Sequence, residues 1–481
     1  MTTTAALPDG ITSLLDTDLY KLTMQCAILK YLPDVHVTYA FTNRTPHMRL
    51  TRAAFRWLQE QIDKLANLSL AASEADYLKN TCTYFNDAYL RFFTSFRLRP
   101  SENVRASFTL LEDTGSQDDV GDLSLDISGR WLDTILYEIP LLALTSEAYF
   151  KFCDKDWTYR NQQDRAYIKG RKLLEHACIF SEFGTRRRRD YHTQDLVIQG
   201  LQRAAADCQT QGWKGKLSGT SNVHFAMKYG IPPVGTVAHE WFMGIASITN
   251  DYEHANETAL RYWVGCFGKG VLGIALTDTF GTPTFLKAFK RTMPTPANSM
   301  ADDKHTLIPG AASPPLPPPP QDVNGTTADD TSDEQSYAQI FQGVRQDSGN
   351  PTEFVTMMRD FYKRQGIREK KTIVFSDSLN IDLCLAYKHA AEEAGFAPTF
   401  GVGTFLTNDF TLASNDQQKS HPLNIVIKLS SANGRAAIKI SDNIGKNTGD
   451  EATVHKVKET LGYVEQRWDN NGEEAARWGK G

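Results

Sequence analysis

From about residue 177 to residue 430 the chain repeats one pattern. A short apolar run closes in a polar or glycine-rich cluster, and a stretch with helical spacing follows. The runs are ACIFSEFG, GKLSGTS, PVGTVAHE, VLGIALTDTF, FQGVRQDSG, KTIVFSDS, PTFGVGTF and LNIVIKLSS. In DSLNIDLCLAYKHAAEEAG, one helical face collects Leu379, Leu383, Cys384, Tyr387, Ala390, Ala391 and Ala394, with Ser378 as the expected N-cap and Gly395 as the stop. Apolar strands alternating with helices predict a parallel sheet covered on its outer face. About eight such units in series favour a closed, TIM-like (β/α) barrel over an open sheet. Barrel chemistry gathers at the C-terminal strand ends. The clusters EFGTR, SGTSN, TVAHE, TDTFG, RQDSG, FSDS and GVGT all fall there.

Residues 1–150 lack this rhythm. They mix a helical stretch (DTDLYKLTMQCAILKYL) with a strand-like one (HVTYAFTNR), which predicts a separate N-terminal α+β domain. The barrel then spans 151–430, and the tail, 431–481, is expected to pack back on the first domain. Residues 294–338 differ in kind: rich in Pro, Ser, Asp and Thr, they hold too little apolar surface to repay ordering, and read as a disordered insert. Their PPLPPPP core favours polyproline II and is taken as a spacer ahead of an SH3-type ligand.

Composition narrows the classes. The 481 residues carry 52 Lys+Arg against 57 Asp+Glu, a net charge of −5, which weighs against a dedicated nucleic-acid binder despite the four arginines of FSEFGTRRRRD. The N-terminus has neither the basic nor the apolar part of a signal peptide, and no window is apolar enough for a membrane span. Seven cysteines stand singly with no CxxC pair, as for reduced thiols in an intracellular protein without structural zinc. The expectation is a cytoplasmic chain, with nuclear entry through the arginine run as the lesser reading.

The clusters offer specific chemistry. Gly401, Gly403 and Thr404 in GVGT bring backbone amides close to a ligand, which suits a phosphate. Asp278, Asp347 and Asp377 end three different runs and can hold Mg²⁺ or sugar hydroxyls, with helix capping as the plain alternative. Arg345 can pair with Asp347 or grip an anion. His239, at the end of its run, is a candidate base, metal ligand or phosphate acceptor. Phe183 beside Arg186 suits a flat anionic ring, while alternation sends Arg187, Arg188 and Arg189 to surface or interface contacts.

The segments LLDTDLYKLTM, FSEFGTRR, SGTSNV, TVAHE, GVRQDSGNP, FSDSLN and FGVGTFLTND, in this order, resemble the nicotinate phosphoribosyltransferase family of type II phosphoribosyltransferases over about residues 13–445. The resemblance implies phosphoribosyl transfer from 5-phosphoribosyl 1-pyrophosphate to nicotinate in NAD salvage, with Mg²⁺ and with ATP hydrolysed through a phosphohistidine at His239. It implies an irregular barrel countable as seven strands, and a homodimer that acts on small molecules and binds neither nucleic acid nor membrane. Carried over by motif, Tyr20, commonly from the dimer partner, and Phe183 sandwich the pyridine. Arg186, Ser221, Thr236 and Arg345 surround the substrate, with Arg345 also counted as catalytic, and Asp278 orients His239. Arg44, Asp347, Ser348, Asp377, Gly401, Gly403 and Thr404 hold the phosphoribosyl pyrophosphate, with Asp347 and Asp377 also as metal ligands. Nicotinamide or quinolinate phosphoribosyltransferase is the alternative. Ser221 stands where the nicotinamide enzyme carries an aspartate, which favours nicotinate.

Overall fold

The computed structural model describes residues 7–294, 334–443 and 447–464. The alternating region builds a six-stranded, wholly parallel sheet in the order Lys216–Thr220, Ile179–Glu182, Ala397–Val402, Thr372–Phe375, Gly343–Gln346, Ile274–Leu276. Facing residues of neighbouring strands, such as Phe180, Phe400 and Phe375, are buried and pack as one layer. Helices Gln162–Glu175, Tyr191–Gln211, Pro351–Arg364 and Ile381–Glu393 are among those connecting or flanking these strands.

Eight closed units are not observed. PVGTVAHE forms no strand among the described residues, only a parallel bridge between Pro233 and Thr220, because Pro232 and Pro233 lack the N–H that a ladder needs. Gly219 admits this segment: its φ is +145°, and a Cβ there would lie 1.9 Å from the Pro232 carbonyl oxygen. Strands Lys216–Thr220 and Ile274–Leu276 therefore end the sheet without pairing to each other. Counting the bridged segment, the parallel array has seven members, open in its hydrogen bonding.

The run LNIVIKLSS leaves the array. Strand Ile425–Ala432 pairs antiparallel with His36–Asn43 in a second, antiparallel sheet that also holds Val120–Arg130, Val104–Leu110, Leu50–Thr51 and Arg435–Ala436. Its alternating burial is the half-exposed pattern of such a sheet. The C-terminal part thus joins the N-terminal sheet from about residue 425, somewhat before residue 431. One core runs through both regions.

Residues 295–333, most of the expected insert, lie outside the described residues. Its flanks meet: the Met293 amide donates to the Gln335 carbonyl at 3.0 Å, and Thr292 bridges Ser336. The boundary at 338 is too late, since Tyr337 and Ala338 are fully buried in a turn, Tyr337–Ile340, closed by a Ser336/Gln339 capping box. In Ile381–Glu393 the cap is also displaced: Asn380, not Ser378, accepts the Leu383 amide at 2.9 Å, while Gly395 follows the helix end with φ +89° as expected.

Candidate active site

A cavity of about 310 Å³ opens where the parallel strands end. Phe183, Ser221, Asp347, Asp377, Gly403 and Thr404 reach it from just beyond five of those strands, and Arg345 and Gly401 from within two. Thr236 and His239 come from the bridged segment and the helix His239–Thr249 that it leads into. The N-terminal domain contributes Tyr20 from helix Leu19–Tyr31 and Arg44 from the end of strand His36–Asn43. Of the sequence candidates only Asp278 and Ser348 are set back from the wall; the serine hydroxyl donates to an Asp278 oxygen at 2.5 Å. Gly401 has a steric duty, because a Cβ there would sit 2.4 Å from the Phe183 ring.

One end of the cavity pairs aromatic surface with positive charge. Arg186 Nη2 donates to the Tyr20 hydroxyl at 2.9 Å, and its guanidinium lies 5.6 Å from the Tyr20 ring centre. The Tyr20 hydroxyl donates to Glu138 at 3.1 Å, and Lys21, fully buried, binds both Glu138 (2.5 Å) and Glu240. Burial pushes the Glu138 carboxyl up, but Lys21 and Arg186 outweigh it and hold it below its ordinary value. Tyr20 lines the cavity of its own chain.

At the other end His239 occupies the first turn of its helix rather than a strand end. Its Nδ1 lies 3.0 Å from Thr279 Oγ1; its Nε2 meets Asp347 at 3.1 Å and Lys439 Nζ at 2.8 Å. Asp278 stands 3.8 Å away, beyond hydrogen-bonding reach, so Thr279 and Asp347 orient the ring, not Asp278. Burial and then Lys439 hold His239 below its ordinary pKa, which keeps the imidazole neutral. Burial acts upward on Asp347, yet Arg345 (2.7 Å) and His239 bring it well below the carboxylate range. His239, Asp278 and Asp347 present ligand-type atoms within 4.8 Å of one another, and Asp278 Oδ1 has no hydrogen-bond partner.

Residues 15–146 match the model described as the nicotinate phosphoribosyltransferase (NAPRTase) N-terminal domain, and residues 178–297 and 320–465 match the nicotinate phosphoribosyltransferase (NAPRTase) family. The chain belongs to the nicotinate phosphoribosyltransferase family. It is 46% identical over 472 residues to the nicotinate phosphoribosyltransferase of Saccharomyces cerevisiae, covering 97% of this chain and 99% of that one. It is 44% identical to the probable nicotinate phosphoribosyltransferase of Schizosaccharomyces pombe over 94% of this chain and 98% of that one. A crystal structure from Saccharomyces cerevisiae superposes with a TM-score of 0.82 at 44% identity, covering 95% of this chain and 100% of that one.

Within this family member the arginine run divides three ways. Arg186 and Arg187 line the cavity. Arg188 and Arg189, expected at a surface or interface, are instead fully buried. Arg188 makes a bidentate pair with Asp16, both bonds 2.7 Å, and Arg189 lies between the rings of Phe150 and Phe410, 3.9 and 4.0 Å from their centres. Neither is available to nucleic acid or to a receptor reading a basic surface signal. The sequence reading also missed Lys439, Thr279, Glu138 and Asp18. A lone lysine within the apolar run AAIKISDN was the legible signal for Lys439. Asp18 lay in LLDTDLYKLTM, where only the tyrosine was singled out.

Proposed function

We propose that the chain transfers the phosphoribosyl group of 5-phosphoribosyl 1-pyrophosphate to the ring nitrogen of nicotinate, giving nicotinate mononucleotide and pyrophosphate for NAD salvage. The carrying observation is that an aromatic–arginine end, a glycine–threonine turn and a buried histidine share one cavity at the strand ends. The pyridine lies against Phe183 and Tyr20, with its carboxylate towards Arg186 and Ser221. Gly401, Gly403 and Thr404 receive the 5-phosphate, Asp347 and Asp377 face the ribose, and Arg44 reaches the pyrophosphate.

The nicotinate nitrogen carries its own lone pair, so no protein base need activate it. Positive charge grows on the ribose as pyrophosphate leaves, so rate acceleration rests on placement and fixed charges. Arg345, braced by Ser376 (2.7 Å), Thr236 (3.1 Å) and Asp347 (2.7 Å), holds a preset direction into the cavity. ATP use fits the same site: with Nδ1–H donated to Thr279, the Nε2 lone pair, which Lys439 meets at 2.8 Å, attacks the γ-phosphorus once Lys439 turns to the phosphate, with ADP departing. Lys439 supports the arriving negative charge. Mg²⁺ takes hard oxygen donors. Asp347 and Asp377 on the wall, with the unpartnered Asp278 Oδ1, fit that ion, which would neutralise pyrophosphate charge.

Incubation with nicotinate, phosphoribosyl pyrophosphate and Mg²⁺, with and without ATP, tests the reading by appearance of the mononucleotide. Nicotinamide or quinolinate used in preference would replace it with the alternative. A homodimeric, cytoplasmic enzyme remains our reading of the family resemblance, checked by sedimentation and by cell imaging.

A further inference from the structure

We propose that Asp18 decides which hydrogen-bonding face Ser221 turns to the substrate, and thereby tunes the choice between the pyridine acid and its amide. This rests on the reading above, in which the pyridine substituent lies between Arg186 and Ser221.

Asp18 occupies the N-cap position of helix Leu19–Tyr31 but makes no capping bond to it. Its Oδ1 instead accepts the Ser221 hydroxyl at 2.8 Å. The backbone fixes this pair: the Leu19 amide donates to the Ser221 carbonyl at 2.8 Å, and Asp18 bridges Asn222. Both side chains are nearly buried, at 4% exposure each, and both line the cavity.

A serine hydroxyl has one hydrogen. While Asp18 is ionised, that hydrogen is committed to Asp18, and Ser221 offers the cavity only lone pairs. Such a face accepts from an amide NH₂ and repels a carboxylate. When Asp18 carries a proton, it donates to Ser221 Oγ, and the serine hydrogen is free to donate to nicotinate. A serine at 221 is therefore not in itself a donor; its neighbour makes it one.

The surroundings of Asp18 make its proton easier to hold than in a free aspartate. Burial is the largest influence, and Glu138 adds to it, against Arg186 and the hydroxyls of Ser221 and Thr185. Glu182 at its strand end and Tyr20 on Asp18's own helix also face it, each feeling the Asp18 charge. The balance is upward from the ordinary aspartate value. Nicotinate engages Arg186 and adds a second anion beside Asp18, so its binding draws a proton onto the carboxyl.

Isothermal titration calorimetry of the full chain, in buffers of differing ionisation heat, measures this directly. Nicotinate binding should take up a measurable fraction of a proton per site, up to about one, and nicotinamide binding none. As pH rises and Asp18 loses its proton, the nicotinate KM should rise, by at most about tenfold per pH unit. In Asp18→Asn the side-chain NH₂ donates to Ser221 as the protonated acid does. Proton uptake and the slope of KM with pH should vanish together, and nicotinamide should bind more weakly. Asp18→Ala, which leaves Ser221 free to turn, should narrow the acid-over-amide preference. A wild type that takes up no proton, or an Asp18→Asn variant that keeps the wild-type slope, overturns the proposal. If wild type forms no mononucleotide from nicotinate at any pH, the underlying reading fails instead, and the two failures are told apart by product formation.

Discussion

Replacing Arg188 by methionine is expected to lower folding stability by about 3–5 kcal/mol at neutral pH. Neither Arg188 nor Asp16 has any solvent-accessible side-chain surface. The guanidinium gives Asp16 two bonds of 2.7 Å, and Nη1 also reaches Gln194 at 3.0 Å. Methionine fills much of the stem's volume but leaves Asp16 with Asn222, at 2.7 Å, as its remaining side-chain donor. Two charges about 4 Å apart at an effective dielectric of about 20 interact by about 4 kcal/mol, which matches the cost of breaking a buried pair from one side. The effect carries a pH signature. In the wild type, burial pushes Asp16 up but Arg188 brings it below the ordinary value. A lowered folded pKa supplies stability that is present above the unfolded value, about 3.9, and is lost as pH falls through the folded one. In the variant burial is left dominant and the folded pKa rises, so stability falls as pH climbs towards neutrality. The deficit should therefore be small near about pH 4 and largest near about pH 8. Urea denaturation followed by tryptophan fluorescence at both pH values measures it, and Asp16→Asn with Arg188→Met should recover most of the loss. A deficit independent of pH, or a double variant no better than the single one, would refute the reasoning, and a surface role for Arg188 predicts a loss within about 0.5 kcal/mol.

Three further outcomes concern the cavity. His239→Ala should abolish stimulation by ATP and retention of labelled γ-phosphate while ATP-independent transfer persists; full stimulation in the variant excludes the phosphohistidine. Ser221→Asp places a carboxylate beside Asp18, 2.8 Å from the present hydroxyl, and should cut nicotinate kcat/KM by about 10²–10³ relative to nicotinamide, in a two-substrate competition assay. Gly401→Ala forces the Phe183 ring off the strand, since the new methyl would lie 2.4 Å from it, and should raise the nicotinate KM by at least about tenfold with little loss of fold, read by circular dichroism.

The sequence carried the parts of the fold that follow from local periodicity. Six of the eight apolar runs became neighbouring parallel strands, and most of the candidates at their polar ends, from Phe183 to Thr404, meet in one cavity. Strand ends are legible because a run of apolar residues closing in Gly, Ser, Thr or Asp marks where backbone leaves the core. The two failures have separate causes. PVGTVAHE has strand composition, but its Pro233 and the preceding Pro232 remove the donors of a ladder. LNIVIKLSS is a strand, yet which sheet it joins depends on long-range pairing with His36–Asn43, nearly four hundred residues away.

Local pattern also could not sort four adjacent arginines. Alternation sent Arg188 and Arg189 outward, because charge at a strand end is ordinarily solvated. Only the folded chain brings Asp16 to one and three aromatic rings to the other, which makes their burial tolerable. Residue type and spacing by themselves determined the parallel sheet and the inventory of reactive groups. The tertiary structure decided the partners of each charge: Lys439 on His239, Thr279 in place of Asp278, and Asp18 behind Ser221. A side chain's type is local, whereas its protonation and the direction of its hydrogen bonds are set by whatever distant groups share its low-dielectric surroundings.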